Sequence, residues 1–192
     1  MIGVMLVKSN SVRLPDKNFL EMDGKPMWKH NVDKMLHVCD KVYIVTDTYG
    51  YRRIENSGAT VLFRPKNMEG TDVTSCEILS WLIHTCSIEE DVLLTQATNP
   101  TLTHQTIEQL VNNHKRHGSR NTITINGATC KPDGNVYVIH PDLLKITNSL
   151  FTVEMWVRPT GKGRHVLNRE ACDIDTWEDY CITNAIMEGR VI

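Results

Sequence analysis

At 192 residues the chain is long enough to bury one sizeable core, and residues 1–192 read as a single domain. Lys plus Arg total 21 against 23 Asp plus Glu, a balance that excludes the broad basic field nucleic-acid binding requires. No apolar run reaches the length of a membrane span, and Met1 leads straight into a first strand with no signal peptide, so the expectation is a cytoplasmic protein.

The six cysteines (Cys39, Cys76, Cys86, Cys130, Cys172 and Cys181) include no CxxC pair and fit reduced thiols better than a disulfide framework or a zinc site. Cys172 stands out because it lies next to acids.

The first element, Ile2–Val7, is an apolar strand. It runs directly into Lys8, Ser9, Asn10, Ser11, Val12, Arg13, Leu14, Pro15, Asp16, Lys17 and Asn18, a loop with three cations and four small polar side chains. Such a loop at the carboxyl end of a first strand is where open α/β sheets bind ligands, and its composition suits a nucleoside triphosphate. A helix over 26–38 follows, with Pro26 in its first turn. Then come a strand at 41–46, a helix at 49–57, a strand at 60–63, a helix at 73–86 and a strand at 91–95. A helix at 103–117 capped by Thr103 precedes strands at 121–125 and 135–139. Late strands are expected at 150–157 and 164–168, separated by the turn-rich Pro159 to Gly163, and a helix at 176–188 closes the chain. This alternation predicts an α/β three-layer Rossmann-like sandwich with a mostly parallel sheet.

Asp173-Ile174-Asp175 is the second chemical signal. In an extended segment the two carboxylates share a side and Ile174 turns into the core. Paired carboxylates suit Mg²⁺; they also suit helix capping ahead of Thr176. Alone the motif favours capping, and the cationic loop moves the metal reading ahead. Asp47, at a strand end, reads as an N-cap or as a ribose or base contact. Gln96, Thr98 and Asn99 follow a buried strand, where amides can read a base edge or simply form a polar loop. Asp133-Gly134-Asn135 is a turn that needs no function. His30, His37, His114 and His117 read as packing or surface residues, whereas Arg164-His165 sits close before the aspartates. No Walker loop, GxGxxG or GxSxG is present.

In these residues the chain resembles the acylneuraminate cytidylyltransferase family, the CMP-sialic acid synthetases and their relatives for other sugar acids. Lys8 to Asn18 is similar to the family's nucleotide loop, ending in Lys17-Asn18 and followed by Gly24-Lys25-Pro26. Val45-Thr46-Asp47 resembles its Ser-Thr-Asp, and Arg64-Pro65 its Arg-Pro. Gln96 to Pro100 is similar to its Gln-Pro-Thr-Ser-Pro, Asp133 to Tyr137 to its Asn-Gly-Ala-Ile-Tyr, and Asp173 to Thr176 to its metal signature.

The resemblance implies a Mg²⁺-dependent transfer of CMP from CTP to a small sugar acid with release of pyrophosphate. Lys8, Ser9, Asn10, Ser11, Arg13, Lys17, Asn18, Asp47, Arg64, Gln96 and Thr98 would bind the nucleotide. Asp173 and Asp175 would hold the metal, and Lys8, Lys17 and both aspartates would act in catalysis. Asn99, Asp133, Gly134 and Asn135 are the weaker candidates for the sugar.

Two departures stand out. Lys8 replaces a family arginine and so loses its bidentate fork, and the family lysine falls at Val12, beside Arg13. The interval from Pro100 to Asp133 is also short where the family carries a dimerisation arm and sugar contacts, which leaves a homodimer open. The alternatives are a nucleotidyltransferase of the same fold using another base or acceptor, and a non-catalytic nucleotide-binding relative.

Overall fold

The computed structural model describes residues 1–54, 57–70, 72–126, 132–145, 163–168 and 172–190. The expected strand at 150–157, the turn from Pro159, the loop at 127–131 with Cys130, and the side chains of Arg164 and His165 lie outside what is described.

Strands β1 (Ile2–Val7), β4 (Lys41–Thr46), β5 (Thr60–Phe63), β6 (Val92–Thr95), β7 (Asn121–Asn126), β8 (Pro132–Ile139) and β9 (Gly163–Asn168) form one sheet among the described residues. Its order is β5-β4-β1-β6-β8-β7-β9. β8 alone runs antiparallel to its neighbours, so the expected mostly parallel sheet is present. A ribbon of β2 (Glu21–Met22) and β3 (Lys25–Pro26) stands apart from it.

The period-two alternation of side chains sorts each strand onto two faces. Ile2, Val4, Tyr43, Val45, Val92, Leu94, Tyr137 and Ile139 pack on one face. Helix α3 (Ser75–Cys86) covers it with Ile78, Leu79 and Leu82. Met5, Val7, Val42, Ile44, Leu93, Val136 and Val138 pack on the other, beneath α1 (Met27–Val38) and α4 (His104–His117). Pro26 is the N-cap of α1, and Thr103 caps α4 by accepting from the Thr106 N–H at 3.2 Å. Among the histidines on these helices, His30 and His114 are buried and His37 and His117 exposed.

The helix expected over 49–57 is a correction. Among the described residues of that segment only α2 (Thr48–Tyr51) is helical, and the chain then turns, with Arg53 N–H donating to the Gly50 carbonyl at 2.9 Å. Gly50 and two tyrosines propagate a helix weakly, and Asp47 commits its cap to this one turn. Helix α5 (Trp177–Met187) closes the described chain.

A third, small cluster joins Leu14, Met22, Met27 and Ile174. Ile174 is fully buried there, as its place between two aspartates predicts. This packing fastens the loop after β1 to a segment near the end of the chain.

Candidate active site

The site lies at the carboxyl ends of β1, β4 and β6, where the first residues of β8 also arrive. The loop after β1 is shaped from both sides. Asn18 is buried and donates from Nδ2 to the Lys8 carbonyl at 2.8 Å, closing the loop on itself. Leu14 plugs into the small apolar cluster. Between these anchors Asn10 and Arg13 face solvent, and Lys8, Ser9 and Ser11 are half-buried.

The far end of the chain meets this loop. The Ile174 N–H donates to the Thr98 carbonyl at 3.0 Å, and the Cys172 N–H to Asn99 Oδ1 at 3.4 Å. Asp175 is thereby brought to the cations: Lys17 Nζ donates to its Oδ1 at 2.8 Å, and Arg13 Nη1 lies 2.6 Å from its Oδ2. The cap of α5 is Thr176, whose hydroxyl accepts from the Asp179 N–H at 3.2 Å. Asp179 Oδ2 in turn accepts from the N–H groups of Asp175 and Thr176 and from the Thr176 hydroxyl. The Asp175 carboxylate is therefore turned to Lys17 and Arg13 and takes no part in the cap. Asp173, two residues earlier, is exposed.

Asp47 has more partners than its sequence position suggests. It caps α2 by accepting from the Gly50 N–H at 2.7 Å. It also accepts from the Ser9 N–H and hydroxyl at 2.8 and 2.7 Å, and Arg64 Nη2 lies 3.3 Å away. Burial acts to raise this carboxyl, but the bonds from Ser9 and Gly50 and the Arg64 charge outweigh it and hold it below the usual range. Asp47 and Arg64, both buried, thus brace the loop from behind. Gly50 makes this close approach possible, since a Cβ there would collide with Thr46 Oγ1.

Gln96 is half-exposed, with its backbone fixed by the Asn135 carbonyl and by Asn31. Asn99 is fully buried, and its Oδ1 also accepts from the Thr101 hydroxyl at 2.9 Å. Asn135 is buried, and Asp133 Oδ1 accepts from the Thr124 hydroxyl at 2.5 Å and the Asn135 N–H at 2.9 Å across Gly134 at φ 76°. Burial, then the charges of Asp133, Cys76 and Asp173, push the Tyr137 hydroxyl up. The structure therefore gathers Lys8, Ser9, Asn10, Arg13, Lys17 and Asp175 around one loop. Asn99 and Asn135 stand behind it as scaffold.

A cleft of about 350 Å³ opens on the β4 side of the loop, lined by Ser9, Asn10, Asp47, Thr48, Tyr49, Arg52 and Glu69. Tyr49, Arg52 and Glu69 escaped the sequence reading. The signal available was an aromatic and two arginines directly behind a strand-end acid, in a segment read as a helix. Cys172 is half-buried with its Sγ 2.7 Å from Thr183 Oγ1, and burial, reinforced by Asp179 and Asp173, raises its thiol despite that hydrogen bond.

Two carboxylates flanking a buried isoleucine give a hard, all-oxygen donor pair, which fits Mg²⁺ when phosphate and water complete its shell. The described residues hold no group of three or more His, Cys, Asp or Glu able to bind a metal unaided. Among them, no helix is long and apolar enough to cross a membrane.

A family model described as Cytidylyltransferase matches residues 2–149 of the chain. The N-acylneuraminate cytidylyltransferase of Streptococcus agalactiae serotype V is 27% identical over 128 residues, which cover 64% of this chain and 31% of that relative. A Helicobacter pylori protein named pseudaminic acid cytidylyltransferase and UDP-2,4-diacetamido-2,4,6-trideoxy-beta-L-altropyranose hydrolase is 27% identical over 94 residues, covering 47% of this chain and 18% of that protein. The chain thus spans less than a third of the length of these relatives. Among solved structures, a CMP:2-keto-3-deoxy-manno-octonic acid synthetase complexed with CTP superposes with a TM-score of 0.75 over 99% of each chain at 15% identity, which establishes the shared fold.

Proposed function

Because the chain belongs to the cytidylyltransferase family, a family of nucleotidyltransferases, we propose that it transfers the cytidylyl group of CTP to a hydroxyl of a sugar acid. The observation that carries this reading is the convergence of Lys17 and Arg13 on Asp175 at the carboxyl edge of the sheet. A buried lysine and an exposed arginine beside the Asp173–Asp175 carboxylates support the binding of a metal–triphosphate complex.

In this reading Lys8, Arg13 and Lys17 bind the triphosphate, and Ser9 and Asn10 line its path. Asp173 and Asp175 would hold Mg²⁺, which supplies Lewis-acid stabilisation of the phosphoryl oxygens when bound. The acceptor hydroxyl attacks the α-phosphorus, a new P–O bond forms, and the bond to the bridging oxygen of the β-phosphate breaks. Pyrophosphate departs with the bonding electrons, and the hydroxyl proton passes to exposed Asp173 and on to water. Lys17, fixed before reaction by its bond to Asp175, meets charge developing on the leaving group with little reorganisation. Arg13, far more exposed, is free to swing from Asp175 to the phosphates.

The test is a pyrophosphate-release screen with Mg²⁺, the four nucleoside triphosphates and a panel of sugar acids. Release with CTP and a sugar acid is expected. Release with another triphosphate and none with CTP would refute the reading.

A further inference from the structure

The loop after β1 is held at both ends by one segment, the residues that follow β4. At its start, Asp47 accepts from the Ser9 N–H and hydroxyl. At its far end, Arg53 grips the residues on either side of Lys17 and Asn18. Its Nη1 donates to Asp16 Oδ1 at 2.5 Å, and its guanidinium lies 4.1 Å from the centroid of the Phe19 ring. We propose that Arg53 is a positioning residue for triphosphate binding, which acts through Asp16 and Phe19 to hold Lys17 where the phosphates meet it. This rests on the cytidylyltransferase reading and deepens it.

Asp16 shows why such a hold is needed. Its backbone is left-handed, at φ 56° and ψ 17°, which is unfavourable for a residue with a side chain, although aspartate tolerates it better than most. Conformations of this kind persist where their surroundings enforce them. This one opens the short 3-10 turn Lys17–Phe19, in which the Phe19 N–H donates to the Asp16 carbonyl at 2.7 Å. It therefore sets the direction in which Lys17 leaves the loop. The Asp16 side chain makes no capping bond to that turn and is committed to Arg53 instead. Arg53 is itself rooted, since its N–H donates to the Gly50 carbonyl at 2.9 Å and the next residue, Ile54, is buried. Phe19 packs against the cluster beneath α1 and α4 and gives the guanidinium a second, planar contact. The ion pair is partly exposed on both sides and so adds little to stability. Its consequence is geometric, because Lys17 is the next residue along the chain.

The test measures equilibrium binding of inorganic tripolyphosphate to the wild type, Arg53→Met, Arg53→Lys, Lys17→Met and the variant carrying both Arg53→Met and Lys17→Met, with an unfolding midpoint for each. Methionine keeps an apolar cover on Phe19 and gives up the charge on Asp16. Lys17→Met is expected to weaken binding by about tenfold. Arg53→Met is expected to weaken it by about fivefold with a midpoint close to that of the wild type, and Arg53→Lys to recover most of that loss. With Lys17→Met already present, Arg53→Met is expected to weaken binding by less than about twofold. A guanidinium that attracted the phosphates directly, or a general loosening of the fold, would weaken binding as much without Lys17 as with it. An Arg53→Met that binds like the wild type, or that loses the same factor in both backgrounds, would overturn this proposal and leave the cytidylyltransferase reading standing. A wild type that does not bind tripolyphosphate, or a Lys17→Met that binds it undiminished, would overturn both.

Discussion

Lys17 Nζ and Asp175 Oδ1 meet at 2.8 Å although 158 positions separate the two residues. The Lys17 side chain is 11% exposed, so its charge is paired where water offers little competition. Arg13 joins the same carboxylate from the solvent side, with 68% of its side chain exposed. Asp175 thus has an inner, buried cation and an outer, exposed one.

The outer pair gives the first prediction. An exposed ion pair contributes less than about 1 kcal/mol, so Arg13→Gln is expected to leave the urea midpoint nearly unchanged. If Arg13 reaches the phosphates, the same variant binds tripolyphosphate more weakly and with a shallower salt dependence, as titrations at two ionic strengths would show. An affinity identical to wild type at both would remove Arg13 from the phosphate site.

Lys8 keeps a family charge without the guanidinium fork. Its backbone carbonyl holds Asn18 at 2.8 Å, a contact that does not depend on the side chain. Lys8→Arg is therefore expected to retain or raise the rate of pyrophosphate release. A drop of tenfold or so, about 1.4 kcal/mol, would mean that the loop is fitted to lysine.

Asp47 predicts a pH dependence of stability. Its carboxyl is held below the unfolded value, so its contribution is complete above about pH 4 and is lost as pH falls through the folded value. Urea midpoints from pH 6 to pH 3 should fall more steeply for the wild type than for Asp47→Asn. At pH 7 the variant should be less stable by about 1–3 kcal/mol, the cost of mismatching buried donors on Ser9 and Gly50. Parallel pH curves would show that the bonds to Asp47 carry no net stability.

Cys172 reads from sequence as a thiol next to acids, and the structure turns that position into a protected one. Burial raises the thiol, and Thr183 holds the sulfur. Alkylation of the native protein at pH 7.5 should label exposed Cys181 well before Cys172. Mass spectrometry of the digested protein reads the order, and Cys172 labelled first would contradict it.

Most of the sheet was legible because β1, β4, β6 and β8 alternate their apolar residues between two covered faces, and that period is local. Ile174 between two aspartates was legible for the same reason. The second helix was not, because Asp47 spends its capping bonds on a single turn and its other partners, Ser9 and Arg64, come from separate segments. The motif around Asp173 and Asp175 left capping and ligation open. What takes the capping role from Asp175 is the Thr176–Asp179 capping box, while Leu14 and Ile174 share a cluster that is set only by tertiary packing. The cleft at Tyr49 has the same character, since Glu69 reaches Thr48 from beyond β5.

The most direct test is Mg²⁺-dependent pyrophosphate release from CTP by Asp175→Asn. Asparagine keeps the shape beside Lys17 and gives up the charge, so the variant is expected to remain folded, less stable by about 1–2 kcal/mol. Release by this variant is expected to fall to background at any Mg²⁺ concentration, since Asp175 would hold the metal. Turnover retained by the folded variant would contradict it.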